Sequence, residues 1–270
     1  MVVPIIITSF FLSIITSYYC QKLFLKQKVF DKINLRSSHN SIATRSGGLS
    51  VFIVLMIISI YFYLIGIEIF NFSILVPLSI VFLVGVYDDF YSVDFKLKFI
   101  FQIIVAKIII DNGLIIDNFH GFFGIFEINR VLAQLVTIFI IISIINAINL
   151  VDGIDGLLIS ITLIFITSYE LFASENTDLY FLSLIVITAL TPLYYFNFRK
   201  TEKIFLGDAG SYLLGGIIAI YILNILSVGY KIRSEFDINK IIYIISILCY
   251  PIIDMIRIFS LRIINKKSPF

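Results

Sequence analysis

The sequence predicts an all-α, polytopic membrane protein with about nine transmembrane helices and its N-terminus outside. The chain of 270 residues is 60% hydrophobic and 14% charged, with a mean hydropathy of +1.04. A soluble domain of this length could not bury so much apolar surface. Apolar stretches of about 16–24 residues recur along the chain, each long enough to span or nearly span a bilayer. Lys and Arg are concentrated in alternate loops, as the positive-inside rule requires.

The predicted spans are separated by polar or charged loops. They cover residues 2–20, 49–70, 72–87, 97–116, 131–150, 157–173, 179–196, 212–229 and 241–264. The first span lacks a basic leader and a small-residue cleavage site, so we expect a retained helix. Cys20 and Cys249 lie inside apolar runs without metal-binding spacing, and we interpret both as packing residues.

The charge distribution predicts the orientation. The loops after odd-numbered spans, together with the end of the last helix, hold fifteen of the 20 Lys and Arg residues. These loops are predicted to be cytoplasmic, and the acidic motifs lie on the same side. Lys107 lies within span four, where we expect its side chain to run along the helix towards a polar neighbour. A transport pathway would instead place polar residues along the depth of the spans, so the pattern favours a site for a water-soluble substrate.

The most informative motif is the stretch 145–157, which follows the fifth apolar run. It carries the amides Asn146 and Asn149 and the carboxylates Asp152 and Asp155, each carboxylate being followed by a glycine. Carboxylates at membrane depth are costly and usually mark functional sites. The glycines open the backbone, so oxygen atoms at this helix end can approach a cation or a phosphate. The alternative is a polar loop that only joins two spans.

Two adjacent carboxylates, Asp88 and Asp89, end the third span. Neighbouring acids repel each other, and a divalent cation or a proton relieves that repulsion. A solvated helix end would explain one aspartate better than two, so the pair favours a functional role.

The segment 205–211, Phe-Leu-Gly-Asp-Ala-Gly-Ser, precedes the eighth span. Its glycines allow a tight turn, and backbone N–H groups at a helix N-terminus favour phosphate. Asp208 is a candidate ligand for Mg²⁺, which prefers carboxylates together with phosphate oxygens. Alternatively, Asp208 and Ser211 only cap the helix.

The long basic first loop contains the segment 39–48, which runs from His39 to a Gly-Gly pair. Arg45, beside that pair, is a candidate to clamp a phosphate or a diphosphate. Alternatively, it only satisfies the topology rule. His120 lies in an outer loop, away from these motifs, and we expect it to be structural.

The ninth span contains Pro251, which predicts a kink or a helix end near Tyr250 because proline lacks an N–H and clashes with the preceding turn. Asp254 and Arg257 are three residues apart on one helical face, and we expect them to pair.

Taken together, these motifs resemble those of the polyprenyl-phosphate N-acetylhexosamine-1-phosphate transferases, glycosyltransferase family 4. The similarity runs from about Asp31 to the end of the chain. Its most specific elements are 146–157 and 205–211, in this order after the Asp88–Asp89 pair.

The resemblance implies an enzyme that requires Mg²⁺, with Mn²⁺ as an alternative ion. Members transfer a sugar 1-phosphate from a UDP-N-acetylhexosamine to undecaprenyl phosphate and release UMP, at the cytoplasmic face of the bacterial inner membrane. Direct transfer and a two-step route through an aspartyl intermediate are both compatible with these residues. The implied site residues are Asp88 and Asp89 for catalysis, Asp208 and Asn149 for the metal, and Asn146, Asp152, Asp155, Phe205, Arg45 and His39 for the nucleotide sugar.

The chain departs from the family pattern in three places. Thr44 and Arg45 lack the usual neighbouring prolines, which predicts a less rigid first loop. Ser92 stands where the peptidoglycan branch has a lysine, which argues against a peptidoglycan precursor. The sequence ends at Phe270, where relatives continue into a histidine-rich loop and a further helix. We therefore predict a single transferase domain over 1–270 without these two segments; either the sequence is truncated at this point or the protein lacks a substrate-contacting loop.

Two segments, 34–39 and 119–124, resemble the branch that starts O-antigen or capsule chains. N-Acetylglucosamine is the expected sugar, and a 6-deoxy-N-acetylhexosamine is the alternative. The expected partners are the UDP-sugar, undecaprenyl phosphate and the bilayer, without nucleic acid. A homodimer is compatible with the resemblance.

Three alternatives remain open. An intramembrane Mg²⁺-dependent prenyltransferase would space its aspartates four apart on a helix, whereas glycines interrupt Asp152 and Asp155. An ion-coupled transporter would have internal repeats with broken helices, and the sequence has no such repeat. A catalytically impaired member of the same family, with a scaffold role, is favoured by the missing histidine segment.

Overall fold

The computed structural model describes residues 1–27, 29–30, 43–199, 201–227, 229–236 and 238–265, and it is predominantly helical. The α-helices are α1 (Val2–Lys26), α2 (Gly47–Leu64), α3 (Leu75–Tyr91), α4 (Phe95–Asp111), α5 (Arg130–Val151), α6 (Leu157–Phe172), α7 (Tyr180–Asn197), α8 (Gly207–Leu226), α9 (Lys240–Ile247) and α10 (Cys249–Ile264). Two short strands, β1 (Ala43–Thr44) and β2 (Lys203–Ile204), form a parallel pair. Short 3₁₀ helices occupy Phe72–Ile74 and Phe122–Gly124. The predicted all-α class is confirmed.

The predicted spans all coincide with helices, but the helices differ in length and polarity. Within the described ranges, six are long and apolar enough to cross a bilayer: α1, α2, Phe72–Tyr91 (which includes α3), α5, α7 and α8. The pair α9 and α10 adds a seventh if it is one span, although it is bent by 70°. In α4, Lys107 Nζ donates to Asp111 Oδ1 at 2.5 Å, as predicted for a lysine that runs along its helix. The protein is therefore a multi-pass membrane protein, whereas the count of nine and the orientation stay predictions.

Helix α8 is the centre of the bundle. Each residue of α8 except Asp208 and Asn224 is buried, and the helix packs against α2, α3, α5 and α6. Glycine allows the closest approach to α5, because a Cβ at Gly215 would lie 2.9 Å from the Cα of Ile145. Small residues let helices approach closely in membranes, where lipid tails are as apolar as leucine and packing has to drive association. The position of α8 therefore sets the positions of its neighbours.

The C-terminal end of α8 is capped by two basic side chains. His120 Nε2 donates to the Leu226 carbonyl at 2.7 Å, and Lys240 Nζ donates to the Ser227 carbonyl at 2.6 Å. Carbonyls at a helix C-terminus have no partner within the helix, so these donors satisfy them. As expected, His120 lies far from the acidic motifs, because roughly 27 Å of helix separates Leu226 from Asp208 at about 1.5 Å per residue.

Replacing His120 with asparagine should lower stability without changing turnover. Asparagine tolerates the φ of +52° at this position but is too short to reach Leu226. Loss of one hydrogen bond costs about 1 kcal/mol, so we expect a melting temperature roughly 2–4 °C lower in detergent. A large loss of turnover at the permissive temperature would contradict a purely structural role for His120.

Small polar side chains on α1 face the bundle. Ser13, Ser17 and Gln21 are spaced four residues apart, lie on one face and are buried. Ser13 Oγ donates to a carbonyl of α7 at 2.6 Å, and Ser17 Oγ donates to Ser50 Oγ of α2 at 3.2 Å. Gln21 Nε2 donates to the Glu202 carbonyl at 2.7 Å. These bonds tie α1 to α2 and α7 and to the loop that precedes α8.

The predicted break in the last span is confirmed, slightly earlier than expected. The bend lies at Leu248, and Pro251 is in the first turn of α10. Backbone N–H groups in the first turn have no partner within the helix, so proline costs no helical hydrogen bond there. The expected ion pair is also confirmed: Arg257 Nε donates to Asp254 Oδ1 at 2.8 Å.

Candidate active site

The loop before α8 is joined to the start of α2. The N–H groups of Gly47 and Gly48 donate to the carbonyls of the two residues that precede α8, both at 2.9 Å. Strand β1 pairs with β2, and the Phe205 N–H donates to the Thr44 carbonyl at 2.8 Å. Residues 43–48 of the first loop and the 205–211 motif therefore form one structural unit.

The Asp89 side chain caps the N-terminus of α8. Its side chain is completely buried, and its Oδ1 and Oδ2 accept hydrogen bonds from the Asp208 and Ala209 N–H groups, both at 3.0 Å. Arg45 Nη1 lies 3.5 Å from Asp89 Oδ1. The carboxylate satisfies N–H groups that have no partner within the helix, and its charge is favourable at a helix N-terminus. Asp89 thus attaches the end of α3 to α8, and its catalytic role stays a prediction.

Asp208 is the partly exposed acid beside Asp89, with 28% of its side chain accessible. Its Oδ1 accepts a hydrogen bond from Asn149 Nδ2 at 2.8 Å, and Asn149 Nδ2 also donates to Ser211 Oγ at 2.8 Å. Arg45 Nη1 lies 3.6 Å from Asp208 Oδ2. The two residues implied as metal ligands are therefore adjacent, with a guanidinium at their side.

Asp152 follows α5 directly and belongs to the same cluster. Burial, and then the carboxylates of Asp208 and Asp89, raise the pKa of Asp152 well above the usual range of an aspartate. The Arg45 guanidinium and the Gly207 N–H act in the opposite direction. Three acids thus lie close together, and a divalent cation would relieve their repulsion.

Asp155 is held by Lys203 of strand β2. Lys203 Nζ donates to Asp155 Oδ2, and both side chains are largely shielded from solvent. The other oxygen, Oδ1, is buried without a hydrogen-bond partner among the described residues. Gly156 has a φ of +68°, and a Cβ there would collide with the Phe198 ring, so the turn requires glycine.

Asp88 has partners that differ from those of Asp89. It forms an ion pair with Lys98 in the first turn of α4 and accepts a hydrogen bond from the Val93 N–H at 2.7 Å. The motifs did not single out Lys98, because its charge was counted only for topology. The position of Lys98 could have indicated the pair. A positive charge is unfavourable at a helix N-terminus, so a lysine in the first turn of a helix predicts an acidic partner nearby.

Asn146 is paired with Gln102 of α4. Asn146 Nδ2 donates to Gln102 Oε1 at 2.9 Å, and the reverse bond, from Gln102 Nε2 to Asn146 Oδ1, measures 3.4 Å. Gln102 is buried and is a second residue that the motifs missed, because a single glutamine in an apolar span forms no local pattern.

An apolar groove of about 620 Å³ lies beside Asn146, between α4, α5 and α10. Aromatic and aliphatic side chains dominate its lining, which includes Phe99, Phe139, Met255 and Phe259. Asn146 is one of the few polar residues in this lining. The groove therefore joins an apolar helix surface to the end of the α5 motif.

The remaining two predicted site residues are Phe205 and His39. Phe205 is half-buried directly after β2, and its backbone is fixed by the bonds to β1 and α2. His39 lies outside the described residues. The structure thus brings together Arg45, Asp89, Asn149, Asp152 and Asp208. Asp88, Asn146 and Asp155 each contact a side chain from another segment.

Known proteins are similar to this chain over most of its length. Residues 71–226 match the model of glycosyl transferase family 4. A probable undecaprenyl-phosphate N-acetylglucosaminyl 1-phosphate transferase of Bacillus subtilis (strain 168) is 33% identical over 271 residues, which cover 97% of this chain and 73% of the relative. An undecaprenyl-phosphate alpha-N-acetylglucosaminyl 1-phosphate transferase of Pasteurella multocida (strain Pm70) is 34% identical over 280 residues, covering 98% and 74% respectively. The chain belongs to glycosyl transferase family 4.

Proposed function

We propose that this protein transfers N-acetylglucosamine 1-phosphate, or a related N-acetylhexosamine 1-phosphate, from a UDP-sugar to undecaprenyl phosphate. UMP is the second product, and the lipid-linked sugar starts a cell-surface polysaccharide. The protein would act in the bacterial cytoplasmic membrane with its site facing the cytoplasm. The names of the two relatives support the donor and acceptor classes.

The observation that carries the proposal is the cluster of Arg45, Asn149, Asp152 and Asp208 at the N-terminus of α8. Phosphoryl transfer depends on positioning and on neutralising negative charge around the reacting phosphate. Two N–H groups of this helix end are already bonded to Asp89. Diphosphate recognition would therefore fall to the Arg45 guanidinium, whose planar donors suit phosphate oxygens, and to a bound cation.

Asp208 and Asn149 would hold that cation, which we propose to be Mg²⁺, with Mn²⁺ as the alternative. Over the described ranges, no three His, Cys, Asp or Glu residues are placed to hold an ion unaided. One carboxylate and one amide suit Mg²⁺, which binds proteins through one or two carboxylates and takes further oxygens from substrate phosphates and water. When bound, the ion would neutralise charge that develops on the diphosphate.

The lipid phosphate would meet the acid pair at the end of α3. Both oxygens of Asp89 accept backbone hydrogen bonds, so Asp89 would act mainly by positioning α8. Asp88, with Lys98 beside it, is the better placed of the two to contact the acceptor. The Lys98 ammonium would attract the phosphate, while the Asp88 carboxylate would orient it or take its proton.

The groove between α4, α5 and α10 would receive part of the prenyl chain of the acceptor. Its volume of about 620 Å³ and its aromatic and aliphatic lining suit a hydrocarbon chain. It reaches Asn146, one helical turn from Asn149 on α5. A lipid whose chain lies there would have its phosphate near the polar cluster.

Release of UMP from UDP-N-acetylhexosamines by the purified protein tests the proposal. The assay contains undecaprenyl phosphate, Mg²⁺ or Mn²⁺, and one UDP-sugar at a time, with EDTA as the control. We expect UMP release that requires both the lipid and the metal, fastest with N-acetylglucosamine or a related N-acetylhexosamine. Binding of UDP-sugar by folded protein without UMP release would favour the impaired member, and transfer of a prenyl group would favour the prenyltransferase.

A further inference from the structure

Lys203 joins two parts of the site that are far apart in sequence. Its ammonium donates to Oδ2 of Asp155 in the loop between α5 and α6. Only 12% of the lysine side chain and 23% of the aspartate side chain are exposed. A shielded ion pair is sensitive to its geometry, because removing one partner leaves the other charge buried and unpaired.

The backbone of Lys203 is fixed from three directions. Its strand β2 pairs with β1, Gln21 Nε2 donates to the Glu202 carbonyl at 2.7 Å, and Asn197 Nδ2 donates to the Ile204 carbonyl at 2.9 Å. The ammonium therefore projects from a firmly held segment.

The loop that Lys203 contacts has fewer contacts of its own. A Cβ at Gly153 would meet nothing within 4 Å, and Ile154 is exposed. The Lys203–Asp155 pair is a long-range contact that limits the movement of this loop. Across the described part of the chain, the other Asp155 oxygen has no hydrogen-bond partner although it is buried. A buried carboxylate oxygen without a donor is unusual and needs an explanation.

We propose that Lys203 is a positioning residue for the nucleotide sugar, acting through Asp155. By binding Oδ2, the ammonium fixes the orientation of the Asp155 carboxylate and leaves Oδ1 to accept a hydrogen bond from the donor substrate. The inference rests on the proposed function, because it takes the substrate to be the UDP-sugar. It assigns to Lys203 a role that none of the sequence motifs indicates.

Loss of Lys203 should therefore impair substrate binding rather than the chemical step. Without Lys203, the Asp155 carboxylate would rotate away from this orientation, and its hydrogen bond to the substrate would weaken equally in the ground state and the transition state. Loss of such uniform binding raises KM and leaves kcat largely unchanged. Loss of Asp208 would instead lower kcat.

Lys203→Met, Lys203→Arg and a control variant, Lys107→Met, test this inference by UMP release at varied UDP-sugar concentration. We expect Lys203→Met to raise KM about tenfold with kcat within about threefold of the unaltered protein. Lys203→Arg should recover most of the loss, because a guanidinium also pairs with a carboxylate. Lys107 also pairs with an aspartate, Asp111, but this pair is exposed at the C-terminal end of α4, and its loss should change neither parameter.

A charge swap separates positioning from simple structural support. The double variant Asp155→Lys with Lys203→Asp can re-form the ion pair but moves the carboxylate away from the substrate. We expect the swapped protein to fold and to retain the raised KM. Recovery of a normal KM in the swap would overturn the inference, as would an unchanged KM in Lys203→Met. If Lys203→Met does not fold, the KM values of the swapped protein and of Lys203→Arg still test the inference. An inactive but folded unaltered protein would instead refute the proposed function itself.

Discussion

Replacing Asp208 with asparagine is expected to lower UMP release by at least about 10²-fold, the loss typical of removing one electrostatic contact to a reacting group. The Asp208 carboxylate lies against Asn149 and Arg45 at the N-terminus of α8. Asparagine has nearly the same shape but carries no charge, so it would bind a divalent cation far more weakly. The fold should tolerate the change, because Asp208 is one of only two residues of α8 that are not fully buried.

The matched control is Asp111→Asn. Asp111 pairs with Lys107 at the C-terminal end of α4 and is exposed, so its loss should leave turnover unchanged. Both variants should elute from a sizing column in detergent as the unaltered protein does. If Asp208→Asn retained turnover within a few-fold at limiting Mg²⁺, Asp208 would not be a metal ligand. If higher Mg²⁺ restored part of the activity, the metal-binding role would gain support.

The helices could be predicted from the sequence because each apolar run has to satisfy two conditions at once. A run must be long enough for a bilayer, and it must end where charged or turn-forming residues begin. The fifth span illustrates this: predicted over 131–150, it is helical over Arg130–Val151. The sequence could not show that α8 is the central helix. Its apolar content resembles that of the other spans, and its burial depends on where its neighbours pack.

The site was predictable where residues lie in recognisable motifs, and it was not where contacts connect distant segments. The family resemblance implied Asn149 and Asp208 as ligands of one metal ion, and in the structure Asn149 Nδ2 lies 2.8 Å from Asp208 Oδ1. The motifs did not identify three partners of the site residues: Lys98 for Asp88, Gln102 for Asn146 and Lys203 for Asp155. Such contacts arise only when the chain folds, since Lys203 reaches Asp155 from 48 positions further along the sequence.

Asp89 shows that a correct motif does not define a role. Two adjacent aspartates predicted a shared function, yet Asp89 bonds to the backbone of α8 whereas Asp88 pairs with Lys98. Adjacent residues on a helix are separated by about 100° around its axis, so they face different neighbours. The acid pair is therefore two separate contacts, one to α8 and one to α4.

Replacing Gly85 with alanine is expected to reduce turnover strongly, although alanine is the better helix former. Gly85 lies in α3, where alanine would gain about 1 kcal/mol of helix propensity. Its Cβ, however, would lie 2.5 Å from the Asp208 carbonyl oxygen and 2.6 Å from the Ala209 Cα. Both are backbone atoms of α8, so they cannot move aside as the end of a flexible side chain can. Overpacking of this kind typically costs about 1–3 kcal/mol, which outweighs the gain in propensity.

The displacement would act on the site directly, because α3 and α8 meet where Asp89 bonds to the Asp208 and Ala209 N–H groups. A shift of about 1 Å at a reacting group lowers rates by about 10²-fold, and we expect a loss of that order in UMP release. Gly229→Ala is the matched control, since the nearest atom to its Cβ is Ser227 Oγ at 3.8 Å. Full activity in Gly85→Ala would show that α3 and α8 can separate without cost. The close backbone contact would then not be what holds Asp208 in place, and the roles given to Asp89 and to the glycine would both be wrong.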